Sequence, residues 1–155
     1  MISISSLRTR SLLFVAALLL ASCAGMGGGG SVPVKITGAE EVPPVTTDAS
    51  ATGSVTVGDD RSISGSFKLQ NGSQMSAGHI HEGAVGANGP VIIPLRKVSD
   101  TEWEVTPGAK LTDAQYDAYK AGRLYVNFHS PKNKGGEIRG QIRPSSGGGS
   151  MSGGY

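Results

Sequence analysis

Apolar side chains recur at every second position in short runs along residues 32–144, and Gly, Pro, Asn or Asp bound each run. Ser62-Ile63-Ser64-Gly65-Ser66-Phe67-Lys68-Leu69 alternates strictly and puts Ile63, Phe67 and Leu69 on one face, the period of a half-buried strand. Val32-Pro33-Val34-Lys35-Ile36 repeats the pattern, and Ser54-Val55-Thr56-Val57 leads into a turn at Gly58-Asp59-Asp60. Asn71-Gly72 is a strong turn dipeptide. Further strands are predicted over residues 77–81, at Val91-Ile92-Ile93 (a continuous apolar strand) and at Trp103-Glu104-Val105. The strand over residues 124–129 sets Leu124, Val126 and Phe128 against Tyr125, Asn127 and His129. That over residues 137–142 sets Ile138 and Ile142 against Glu137, Arg139 and Gln141. One helix is predicted over residues 114–121, because Thr112 and Gln115 form a capping box and Gly122 is a natural stop. The sum is an all-β fold: a Greek-key-like β-barrel or sandwich of about eight strands with one short helix.

Composition sets the ends apart from this pattern. Residues 1–22 carry Arg8 and Arg10 followed by an apolar run, Leu12 to Leu20, too short to cross a bilayer and shaped like a secretory signal. The run ends in Leu20-Ala21-Ser22-Cys23, which is similar to a bacterial lipobox. Cys23 is the only Cys in the chain, so it closes no intramolecular disulfide, and lipidation accounts for it. By the sorting rule of Gram-negative lipoproteins, Ala24 after the Cys implies an outer-membrane anchor facing the periplasm. Residues 23–31 are then a Gly-rich tether, residues 32–144 the folded domain and residues 145–155 a Gly/Ser tail without a core. With Arg8 and Arg10 removed, the remaining Lys and Arg balance the 12 acids. That gives no electrostatic case for nucleic acid as a partner.

All three His of the chain fall in two places, His79 with His81, and His129. Side chains two apart on a strand share a face, so His79 and His81 can converge on one ion, and Ile80 turns toward the core. His129 projects from the polar side of its own strand and supplies a third ligand. Three imidazoles in an oxidising compartment suit copper, with zinc second, since copper has the higher intrinsic affinity at nitrogen sites. Met75 is an additional candidate ligand, its thioether being suited to Cu(I). Around the site, Glu137 and Arg139 share a strand face. Either Glu137 orients an imidazole and Arg139 attracts an anion or a carboxylate, or the two pair with each other and fix strand register. Tyr125 and Asn127 share the His129 face and complete the outer set. Glu82 has the wrong parity for direct ligation. No free Cys nucleophile, phosphate-binding loop or Ser elbow is present, so catalytic residues are not assigned.

Four segments carry a family resemblance: Glu40-Glu41-Val42-Pro43-Pro44-Val45; His79-Ile80-His81-Glu82-Gly83 with Gly86-Ala87-Asn88-Gly89-Pro90-Val91; Tyr125-Val126-Asn127-Phe128-His129-Ser130; and Gly136-Glu137-Ile138-Arg139-Gly140-Gln141. Together and in this order they closely resemble the CHRD domain, the repeat of chordin that occurs as single copies in bacteria. Chordin's role as an extracellular growth-factor antagonist does not suit a bacterial lipoprotein. The H-x-H strand, the Gly-rich loop and the later His are also similar to the copper half of copper,zinc superoxide dismutase, a Greek-key barrel with copper on its outer face. That resemblance implies copper ligation by His79, His81 and His129. The fourth copper ligand, the zinc ligands and the disulfide of that enzyme have no counterpart here.

The reading that follows is an envelope-anchored lipoprotein that binds copper for storage, delivery or protection, a binding protein before an enzyme. A dismutase-like copper oxidoreductase is the first alternative and a metal-free interaction or adhesive module the second. A homodimer that completes the site with ligands from a neighbour is a further expectation.

Overall fold

The computed structural model describes residues 30–72 and 74–144. The signal segment, Cys23 and the Gly/Ser tail lie outside the described residues. Eight strands form: β1 (Ser31–Thr37), β2 (Ser50–Val57), β3 (Ile63–Gln70), β4 (Ala77–Glu82), β5 (Val91–Lys97), β6 (Glu102–Val105), β7 (Leu124–His129) and β8 (Ile138–Ile142). They pair antiparallel and close a barrel in the order β1-β2-β3-β6-β5-β4-β7-β8. The sequence left sandwich and barrel open; the ladder closes as a barrel. Ser31, placed in the tether by composition, is already the first residue of β1.

Alternation decides what fills the interior. Val32, Val34 and Ile36 of β1, Ile63, Phe67 and Leu69 of β3, Ile80 of β4, and Val126 and Phe128 of β7 all point inward and are buried. Each such side chain contributes on the order of 1.5–3 kcal/mol by leaving water. Phe128 sits edge-on to both Phe67 and Trp103, with centroids 6.0 and 5.6 Å away. The single α-helix among the described residues, α1 (Asp113–Lys120), begins at the predicted capping box: the Gln115 amide donates to Thr112 Oγ1, and the Thr112 amide donates to Gln115 Oε1. Ala118 and Tyr119 are its buried residues, and Gly122 ends it with φ +67°, the left-handed region open to glycine.

Val91-Ile92-Ile93 does not lie as a continuous apolar strand. β5 turns Ile93 and Leu95 inward, whereas Val91 is exposed. The cause is a register step. Ile80 pairs with Ile93, but His81 pairs with Val91, so Ile92 is the extra residue of a bulge, a device that bends a strand and re-aims its neighbours.

The outer wall of β7 and β8 departs from its sequence pattern in another way. Tyr125, Asn127, Arg139 and Gln141 point out of the barrel as expected, yet all four are buried. Two loops roof them. Gln141 Nε2 donates to the Gly83 and Gly122 carbonyls at 3.0 and 2.8 Å. Asn88 of the loop over residues 83–90 donates to the Val42 carbonyl at 2.8 Å, joining it to the segment around Glu41. Polar residues on this wall are thus enclosed and must find protein partners.

Candidate metal centre

β4 and β7 are neighbours, and their register sets the three His together. His79 stands opposite Asn127, His81 opposite Tyr125, and His129 opposite Ala77. His79 and His129 are therefore diagonal neighbours on one sheet face, within reach of long side chains. One ligand nitrogen from each of His79, His81 and His129 lies within 4.8 Å of the other two. An ion held at about 2.0–2.1 Å by three imidazoles needs its nitrogens roughly 3.3–3.6 Å apart. The pair His79 Nδ1 and His129 Nε2 at 3.0 Å and the 4.8 Å limit bracket that spacing.

The carbonyls around the rings fix their tautomers. His129 Nδ1 is 3.0 Å from the Lys134 carbonyl and His81 Nδ1 is 3.0 Å from the Gly89 carbonyl. A carbonyl only accepts, so each Nδ1 carries the proton and each Nε2 presents a lone pair. His79 Nδ1 then donates to His129 Nε2. His81 Nε2 is buried without a partner, a lone pair held ready for an electrophile. Burial lowers the pKa of His79, reinforced by the His129 and His81 charges. Burial likewise lowers that of His81, against the Gly89 hydrogen bond and with the His129 and Arg139 charges. Both shifts favour the neutral ring of His79 and His81, the form that binds metals. His79 and His129 are only half buried, so the cluster opens to solvent on their side.

Behind His81 stands a column of planar groups. The Tyr125 ring stacks on the His81 ring at 4.9 Å and 13°. The Arg139 guanidinium lies over the Tyr125 ring at 3.5 Å. The strand order β4-β7-β8 puts Tyr125 between the other two. Gly89 locks the column, since its amide donates to the Tyr125 hydroxyl at 3.0 Å while its carbonyl holds His81. Arg139 donates to the Ala84 carbonyl at 3.0 Å and to Asn88 Oδ1 and Gln141 Oε1 at 3.3 Å.

Two of the residues read from sequence take other places. Met75 belongs to the buried hydrophobic cluster inside the barrel, whereas the three His are on its outer face, so the thioether packs and the structure does not bring it to the site. Glu137 does not meet an imidazole or Arg139; it accepts from Thr47 Oγ1 at 2.8 Å. Burial acts to raise its pKa, but hydrogen bonds from Ser130, Thr47 and Asn133, with the Lys132 charge, outweigh that and hold it low. The carboxylate facing Arg139 is instead Glu41, which burial pushes up to about 7 against the Arg139 charge, the Val42 backbone and the Asn127 side chain.

Glu41 had no role in the sequence reading. Its Oε1 and Asn127 Oδ1 are both buried and without partners. A Cβ on Gly136 would meet them at 2.6 and 2.7 Å, so the two oxygens converge over that glycine. A proton on Glu41 gives this pair of acceptors its missing donor. The signal for it was the buried polar face of Asn127 and Arg139, which needed a counterpart from another segment.

No match is found among curated proteins or solved structures. Over residues 32–142 the chain matches the CHRD domain. That span holds every strand but the first residue of β1, all three His, and the Glu41, Tyr125 and Arg139 that surround them, and so the chain belongs to the CHRD domain family.

Proposed function

We propose that this CHRD-domain protein is a lipid-anchored envelope protein that binds a metal ion through His79, His81 and His129, copper first and zinc second, for storage, delivery or protection. The observation that carries the reading is His81 Nε2, a buried lone pair without a partner beside two further imidazole nitrogens. The residues fit the ion. His81 and His129 offer Nε2, since their Nδ1 atoms face carbonyls. His79 joins with a ring nitrogen once its hydrogen bond to His129 is given up to the ion, and no carboxylate joins them among the described residues. An all-imidazole set favours copper over harder ions. Bound copper would supply one-electron chemistry there. The periplasmic, outer-membrane placement follows from the lipobox-like Leu20-Ala21-Ser22-Cys23 and from Ala24.

The half-exposure of His79 and His129 favours a dismutase-like copper oxidoreductase as the second reading, because a small substrate can approach the cluster from that side. Metal titration of the purified chain separates the readings. Wild type is expected to take up one copper ion, and the His79→Ala/His81→Ala pair to lose at least about a hundredfold in affinity. Equal affinity in both proteins overturns the metal reading. Superoxide dismutation by the copper-loaded chain, at a rate above that of buffer, is the result that would favour the enzyme.

A further inference from the structure

We infer that Arg139 sets the charge preference of the three-His cluster, favouring a monovalent ion, Cu(I), over divalent Cu(II) or Zn(II). The inference rests on the metal reading above and names the species that site selects.

Three neutral imidazoles bring no negative charge to an ion, and no Asp or Glu of the described residues stands among them. A divalent ion at such a site keeps both its charges. Behind His81 the first fixed charge is the Arg139 guanidinium, separated from the imidazole only by the Tyr125 ring. Guanidinium stays protonated throughout the accessible pH range. Arg139 is 2% exposed, and its hydrogen-bond acceptors, the Ala84 carbonyl, Asn88 Oδ1 and Gln141 Oε1, are all neutral. Water screens the charge little at that depth. The repulsion it exerts scales with the charge of the ion, so each extra positive charge on the metal is opposed. Glu41 is the carboxylate that faces Arg139, and burial holds it at about 7. Near neutrality it offsets Arg139 only in part, and fully only in alkaline solution. Arg139 and Glu41 therefore act on the same preference with opposite signs.

The test uses the full chain at pH 8.5, where Glu41 is ionised. It measures Cu(I) and Cu(II) affinities by chelator competition, with the potential of the bound copper as a second readout. Arg139→Gln is expected to lower the Cu(I)/Cu(II) affinity ratio about tenfold, equivalent to about 59 mV for a one-electron couple. Arg139→Lys keeps the charge and should restore most of the ratio. Glu41→Gln is expected to raise the ratio about threefold. A loss of packing alone cannot produce opposite shifts in the two variants. Should Arg139→Gln fail to fold, Glu41→Gln decides: a raised ratio supports the inference and an unchanged or lowered one overturns it. Ratios unchanged in both variants, with copper still bound, overturn the charge preference and leave the metal reading standing. A wild-type chain that binds neither ion removes both.

Discussion

The barrel has two kinds of wall. Along β2 and β3 the outward positions are Thr52, Ser54, Thr56, Ser64, Ser66 and Lys68, small or charged groups that reach water to varying degrees. Along β7 and β8 the outward positions include Tyr125, Asn127, Arg139 and Gln141, all buried under connections from elsewhere in the chain. Both walls show the same alternation in sequence. What differs is the kind of polar residue. Serine, threonine and lysine can end in water without penalty. Arginine, asparagine and glutamine with several donors and acceptors in one patch need a roof that satisfies them. The uncovered wall only closes the barrel; the roofed wall holds the histidines.

Substitutions on the two walls should differ in their cost to stability, read by urea denaturation. Arg139→Leu leaves the Ala84 carbonyl and the Asn88 and Gln141 amides without their donor. It is expected to cost about 3–5 kcal/mol, at about 1–3 kcal/mol for each acceptor left without a partner. Gly136→Ala is next, at about 2–3 kcal/mol. Its φ of +145° resists a side chain, and the new Cβ would press on Asn127 and Glu41 at 2.6 Å. Tyr125→Phe keeps the stack but removes the acceptor of the Gly89 amide, for about 1–2 kcal/mol. On the other wall, Ser66→Ala should stay within about 0.5 kcal/mol. Equal costs on the two walls would erase the distinction.

The roofed wall should also respond to pH through Glu41. Its folded pKa, about 7, lies above the ordinary carboxylate value of 4.5, so the folded state holds the proton more tightly than the unfolded chain. The stability this group contributes is fully present below about 4.5 and is lost as pH rises through about 7. Wild type should therefore lose melting temperature relative to Glu41→Gln as pH rises from about 4.5 through about 7, with the two curves parallel outside that window between about pH 4 and 8.5. A constant difference across the whole range would show that Glu41 titrates normally.

Much of the barrel could be read from alternation, because the period of 2 assigns each residue to a face whatever its neighbours are. Ile63, Phe67 and Leu69 point inward as their spacing demands, and Thr112 with Gln115 caps α1 through contacts three residues apart. The three His could be read for the same reason: all are on polar faces, and adjacency of β4 and β7 was all that remained to be supplied. Val91 was misplaced because a bulge depends on the partner strand and leaves no trace in one strand's own pattern. Met75 looked like a ligand by proximity to His79 in sequence, but it closes the turn before β4 and packs into the buried cluster. Glu41 was missed because its partners, Asn127 and Arg139, lie more than eighty residues away. Local propensity says nothing about a contact of that kind.

The seam of the barrel has a consequence for motion. β1 and β8 pair through Thr37 and Arg139 alone, whereas β1 and β2 pair over seven residues. A seam with so little ladder is where the wall should part first, exchanging its amide hydrogens ahead of the rest. Arg139 is both the strand partner at that seam and the base of the column behind His81. Anything that tightens the histidine cluster should slow hydrogen exchange at Thr37 on the far side of Arg139, so the closure of the barrel becomes a gauge of occupancy.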